Sequence, residues 1–302
     1  MRSLISVGDK DIRVQGRLVR VGRMDADTYQ FLDDPESLLA ALRKCGHRID
    51  LFTFVQRLAD DGPKYAYPMV WDNFAVLPVS TFDHWFTKQI ENRVRVKVRK
   101  AEKSGVVTRV VSFDESLVRG IWEVYNECPV RQGIPNGHYG KSFEKVYEEE
   151  ATFLDHSIFI AAYFEEKMIG FIKLVTDETL TQGNMMNIVS MTRHADKAPT
   201  NALVAHAVRV CAERKIPNLL YGKFVYGKKE PDGLNTFKRY NAFERRDVPR
   251  YYVPLTALGR IAFRLGVHDG LKERVPEPVL AKLRDLRKTW YSRKLKSETV
   301  RS

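Results

Sequence analysis

Three short apolar runs lie close together in the middle of the chain. They are Ser157-Ile-Phe-Ile-Ala-Ala-Tyr163, Met168-Ile-Gly-Phe-Ile-Lys-Leu-Val175, and the stretch from Leu180 to Met191. Their β-branched and aromatic content, with polar joints at Glu165-Glu166-Lys167 and Thr176-Asp177-Glu178, predicts an antiparallel meander. From Thr200 to Arg214 the apolar period changes to that of a helix. The joint between meander and helix holds Arg193, His194, Asp196 and Lys197, with Pro199 near the helix start. A strand that feeds a helix N-terminus through a cationic turn is suited to an anion, because the first N–H groups are unpaired and the helix dipole is positive there.

The flanking patterns fill in an α+β chain. Ile12 to Val21 and Ile49 to Leu58 alternate in part and predict strands, with a helix from Asp34-Pro35-Glu36 to Lys44 between them. Val94 to Arg99 alternates as a strand would. Phe86, Ile90, Val94 and Val98 also recur every fourth residue, so one long helix is expected from Trp85 to Lys103. Thr81 is its start signal and Gly105 its stop. A strand is expected at Val106 to Val111, then helices at Asp114 to Cys128 and Ser142 to Phe153. The loop between those helices carries Arg131, Gln132, His138 and Tyr139 among Gly and Pro residues. After Pro217 come a strand at Leu219 to Tyr221, a short helix over Asp232 to Tyr240, and a strand from Ala242 to Val253. Helices are expected at Leu258 to Leu265 and Pro278 to Leu295.

Charge adds a second theme. The net charge is +12, and Thr256 to Ser302 carries twelve Lys or Arg against five Asp or Glu. A further cluster runs through Lys88, Arg93, Arg95, Lys97, Arg99, Lys100 and Lys103. Such surfaces attract phosphate, on nucleic acid, a nucleotide carrier or an anionic membrane. Cys45, Cys128 and Cys211 show no metal or redox spacing, which suits a reducing cytoplasm. No apolar run reaches the length of a membrane span, no signal peptide is visible, and no metal-ligand pattern emerges from the histidines.

The element order from Thr81 to Leu255, with its anion-suited turn, resembles the GNAT acyltransferase superfamily, and most of all its Fem-like branch. Arg99-Lys-Ala-Glu-Lys-Ser-Gly105 and Phe237-Lys-Arg-Tyr-Asn-Ala-Phe243 carry the Fem-like part of the resemblance. It implies a mixed α/β sheet in a GNAT-like fold at residues 76–255. A truncated α/β half-domain would precede it at 1–75, and a basic helical extension would follow at 256–302. It also implies an N-acyltransferase that takes an acyl or aminoacyl group from acyl-CoA (acetyl-CoA) or aminoacyl-tRNA. The acceptor would be an amine on a small molecule, a peptide or a cell-envelope component.

The superfamily's pyrophosphate turn corresponds to Arg193-His-Ala-Asp-Lys-Ala198, where Asp196 replaces a glycine and adds bulk and negative charge. Carrier contacts are therefore expected from Ile188, Ser190, Arg193, Lys197, Thr200 and Asn201. Backbone N–H groups of Ile188 to Met191 would meet the carbonyl. Lys238 and Tyr240 are the expected catalytic pair, and His138 is a candidate general base. Arg131, Gln132, Tyr139, Lys223 and Tyr226 are expected at the substrate. The competing reading is a non-catalytic basic protein that holds nucleic acid or an anionic membrane surface; charge does not separate the two.

Overall fold

The computed structural model describes residues 2–25, 29–58, 62–131, 134–226 and 233–266. The expected helix at Pro278 to Leu295 and most of the 256–302 extension lie outside the described residues. The described residues fall into two compact units. One is drawn from positions 1–75, 223–228 and 245–275, the other from 76–222, 229–244 and 276–302.

The first unit opens with three strands, β1 (Arg2–Val7), β2 (Lys10–Gln15) and β3 (Val21–Met24). The single strand expected over Ile12 to Val21 is thus two. Gly16, at φ 110, turns the chain where an added Cβ would lie 1.9 Å from the Val19 carbonyl oxygen. Helix α1 (Pro35–Lys44) starts where the sequence signals it, with the Asp34 carboxylate accepting the Ser37 N–H. Strands β4 (Leu51–Val55) and β5 (Met69–Pro78) follow.

In the second unit the long helix expected from Trp85 is broken. The Thr81 hydroxyl caps a short α2 (Phe82–His84), the chain widens into a π-helical turn at Trp85–Gln89, and Ile90 is extended at φ −79, ψ 154. Only then does α3 (Asn92–Lys103) begin. Tertiary contacts override the periodicity. The buried Trp85 indole donates to the Asn241 carbonyl at 3.2 Å, Glu91 N–H donates to the Tyr240 carbonyl at 3.1 Å, and Arg95 donates to the Ile90 carbonyl at 2.8 Å.

The chain continues through β6 (Val107–Val111), α4 (Glu115–Tyr125), a ribbon of β7 (Val130–Arg131) and β8 (Ile134–Pro135), and α5 (Phe143–Glu150). Asp114 and Ser142 cap α4 and α5 by accepting the N–H groups of Leu117 and Lys145. The meander is β9 (Ser157–Phe164), β10 (Lys167–Thr176) and β11 (Gly183–Ser190). A two-residue turn joins the first pair, with Glu165 and Glu166 at φ 49 and 59, the geometry that matches strand twist. Helix α6 (Pro199–Glu213), β12 (Asn218–Lys223) and α7 (Gly233–Tyr240) complete the unit. The chain then re-enters the first unit with β13 (Glu244–Pro254) and α8 (Ala257–Arg264).

The first unit's strands run in the order β1-β2-β3-β4-β13-β5, and the second unit's in the order β12-β11-β10-β9-β6. The first unit's core joins Leu38, Leu39 and Leu42 of α1 to Phe52, Phe54 and Tyr251. In the second unit α6 and α4 both pack against β10, and α3 lies on α6 through the buried Val94, Val98 and Ala101. Among the described residues no helix is long and apolar enough to cross a membrane.

Candidate functional site

The third meander strand changes character along its length. Its pairing with β10 shifts between Lys173↔Asn187 and Leu174↔Met185, so Met186 is an extra residue and β11 bulges there. Among the described residues β11 pairs with β12 only at Gly183 and Asn184. Past that point β11 keeps β10 and leaves β12. Met191 N–H donates to the Ile169 carbonyl of β10 at 2.7 Å. Ladder alternation then turns the N–H groups of Ile188 and Ser190 toward the side that β12 has left.

A cavity of about 430 Å³ opens at this end of β11. Of the residues expected at the carrier, Ser190, Thr200 and Asn201 line it, and the Ser190 and Thr200 hydroxyls are 2.6 Å apart. Arg131 lines it too, donating one guanidinium nitrogen to the Ser190 carbonyl. Among the described residues its other terminal nitrogen is buried with no partner. Lys97 and Lys100 complete the cationic wall. They stand three apart on α3, both exposed and flanking its packing stripe. Both belong to the basic cluster visible in the sequence. Their spacing on a helix that buries Val94 and Val98 was the available signal for a shared surface.

The turn itself departs from the expected phosphate cradle. Thr192–Lys197 is a 3-10 helix, and Ala198, at φ 55, leads into α6 without a side-chain cap. The carboxylate of Glu127, just past α4, accepts the N–H groups of Thr192 at 2.7 Å and Arg193 at 2.8 Å. Partial burial opposes ionisation of Glu127, but the Arg193 and Thr192 amides and the Arg131 charge outweigh it and hold its carboxyl below the usual range. Arg193 turns its guanidinium to the Met191 sulfur at 3.1 Å. Lys197 pairs with Asp196 at 3.1 Å and lies over the Phe164 ring. Neither Arg193, Lys197 nor Ile188 lines the cavity, whereas Asp196 does.

On the α4 side of the meander lies a buried polar network that sequence reasoning missed. Tyr125 and Asn187 donate to one oxygen of Glu150 at 2.8 and 2.9 Å. The other Glu150 oxygen is buried and has no partner among the described residues. Burial raises the Glu150 pKa, outweighing its hydrogen bonds and the nearby Lys173. Lys173, fully buried, donates to the carbonyls of Glu150 and Thr152 at 2.8 and 2.6 Å. The only hint in the sequence was a lysine inside an apolar run.

His138 stacks on Tyr125 with ring centres 4.1 Å apart. Burial, then the Lys141 charge, lowers its pKa. Its Nδ1 faces the Lys141 ammonium at 3.3 Å. An ammonium can only donate, so the neutral ring carries its proton on Nε2 and offers a donor there rather than a base. Tyr139 is largely exposed, and Gln132 lies outside the described residues.

On α7, Lys238 is fully buried with its ammonium 4.9 Å from the centre of the Tyr221 ring. Arg93 of α3 stacks over Tyr240 and donates to its hydroxyl oxygen at 2.8 Å. None of His138, Lys238 and Tyr240 lines the cavity. Lys223 and Tyr226 belong to the first unit, where Lys223 pairs with the buried Asp72 at 2.8 Å. Among the described residues no group of three or more His, Cys, Asp or Glu could hold a metal ion.

No protein-family model and no curated protein matches the sequence. Solved structures do resemble the fold. FemX matches with TM-score 0.59 and 11% identity over 88% of this chain and 90% of its own. L-PGS from Bacillus licheniformis matches with TM-score 0.56 and 15% identity over 87% of each chain. The C-terminal domain (DUF2156) of a protein assigned as a lysylphosphatidylglycerol synthetase, from Agrobacterium fabrum, matches with TM-score 0.53 and 14% identity over 88% of each. The chain therefore has a mixed α+β fold like those of FemX and L-PGS.

Proposed function

We propose that this chain is an N-acyltransferase that moves an acyl or aminoacyl group from a phosphate-bearing carrier to an amine. The observation that carries this reading is the cationic cavity at the free end of β11, walled by Lys97, Lys100 and Arg131 beside the start of α6. Those cations and the helix N-terminus favour a phosphate. The adjoining N–H groups of Ile188 and Ser190 suit the developing oxyanion of an ester or thioester carbonyl, a stabilisation that counts most when its donors are fixed in advance. The amine nitrogen attacks that carbon, a C–N bond forms, and the C–O or C–S bond to the carrier breaks. The attacking nitrogen gives up a proton, and the leaving oxygen or sulfur takes one up.

Tyr240 suits that last role. Its oxygen already accepts from Arg93, so its own proton is free to be given. His138 would orient the acceptor through its Nε2 proton, and Lys238 would lend positive charge from its buried place beside the Tyr221 ring. The carrier is acyl-CoA or aminoacyl-tRNA, and the amine belongs to a small molecule, a peptide or the cell envelope. The folds of FemX and of the lysylphosphatidylglycerol synthetase domain support this reading.

The test is thermal unfolding of the full chain with acetyl-CoA, free CoA or bulk tRNA, at low and high salt, repeated on Lys97→Ala/Lys100→Ala. A ligand held at 100 times its Kd adds roughly 2.7 kcal/mol to the folded state. One of the three is expected to raise the melting temperature, and the double variant to lose that rise. No rise with any ligand, or a rise that the double variant keeps, would remove the cavity as the carrier site.

A further inference from the structure

The geometry points to Glu127 as the residue that sets which carriers the cavity accepts, favouring those that present a single phosphate over those that present a diphosphate. This rests on the reading of the cavity as the carrier site.

The cavity is electrically two-sided. Lys97 and Lys100 come from α3 and Arg131 from the β7–β8 ribbon. The turn after β11 differs. Its Asp196 lines the wall, paired with Lys197 at 3.1 Å, and Thr192, also on the wall, has its N–H already committed to Glu127, which does not itself line the cavity. Both Glu127 oxygens are engaged, one by Thr192 and one by Arg193, so the carboxylate is fixed rather than swinging. The Cys128 thiol, 3.7 Å away, adds a weak third contact.

A carboxylate with two oxygens on two adjacent backbone N–H groups presents what one edge of a phosphate would present. Those donors are therefore saturated by the chain's own anion. One phosphate can lie among the two lysines and Arg131. A second phosphate joined directly to it would need the backbone donors that Glu127 already occupies, and the carboxylates of Glu127 and Asp196 repel it.

The experiment is calorimetric binding of two probes with the same thiol arm. 4′-Phosphopantetheine has one phosphate, and coenzyme A has the diphosphate. The proteins are the full chain, Glu127→Gln, Glu127→Ala, and Lys97→Ala/Lys100→Ala. Circular dichroism confirms that each is folded, and Glu127→Gln keeps the shape and an acceptor for the backbone. The unaltered protein is expected to bind phosphopantetheine at least tenfold tighter than coenzyme A. Both Glu127 variants are expected to shrink that ratio at least tenfold, through a gain for coenzyme A. A ratio unchanged within twofold in both variants, a preference for coenzyme A in the unaltered protein, or no binding of either probe by any form overturns the inference. Probe binding that survives loss of the two lysines is a different failure, that of the cavity as carrier site.

Discussion

Replacing Lys173 by Met makes a buried charge visible as pH-dependent stability. The ammonium is fully buried and, among the described residues, makes its hydrogen bonds to Glu150 and Thr152. Burial pushes its pKa down from 10.5 to about 8, against the attraction of Glu150. That gap corresponds to roughly 3 kcal/mol of disfavoured charge in the folded chain. In the unfolded chain the lysine keeps its proton until about pH 10.5, whereas the folded chain releases it near 8. Between those values the unfolded state binds more protons, so stability from this group rises with pH.

Lys173→Met removes the titration. It also strands two carbonyl oxygens, so the variant is less stable at pH 7.5. The gap between wild type and variant should then widen by up to roughly 3 kcal/mol as pH rises from 7.5 toward 10.5. Urea unfolding followed by tryptophan fluorescence at several pH values measures it. Parallel pH curves for the two proteins above pH 7.5 would refute the reasoning.

Gly170→Ala should cost about 1–3 kcal/mol, since the new Cβ would stand 2.8 Å from Ser190 Cβ and 2.9 Å from the Val189 carbonyl oxygen. Pushing β11 off β10 also displaces Ser190, so a lower melting temperature should come with a weaker ligand-induced rise; an unchanged melt would count against the close approach. Ala198→Gly should gain about 0.5–1 kcal/mol, because Ala198 sits at φ 55, where a Cβ is strained. A lower urea midpoint in that variant would show the turn to be unstrained.

The parts of the fold governed by local chemistry were legible. Asp114, Ser142 and Thr81 accept the N–H groups their positions call for, and the meander follows its apolar runs. Where the pattern misled, a distant partner decided. Nothing between Trp85 and Lys103 announces a break, because the groups that make one, Tyr240 and Asn241, come about 150 residues later. Strand β5, which the pattern did not announce, carries Asp72 and Asn73 within an apolar run. Its Asp72 is buried only because Arg250 and Lys223 meet it there, as salt bridges of 2.9 and 2.8 Å.

The site divides in the same way. Ser190, Thr200 and Asn201 follow from the strand–turn–helix order, and Arg131 from a loop rich in hydrogen-bonding side chains. Lys97 and Lys100 reach the cavity only because α3 packs on α6. Glu127 could not be foreseen, since its partners lie 65 and 66 positions away.

The parting of β11 from β12 after Asn184 has a consequence for solvent exchange. Along most strands of a sheet interior every amide is paired on one side or the other, so neighbours exchange their protons at similar, slow rates. Beyond the bulge β11 holds one set of amides against β10 and presents the other to a gap. Met191 is in the first set and Ser190 in the second. Adjacent residues of one strand thus report on different things, the first on the unfolding of the sheet and the second on whatever fills the gap.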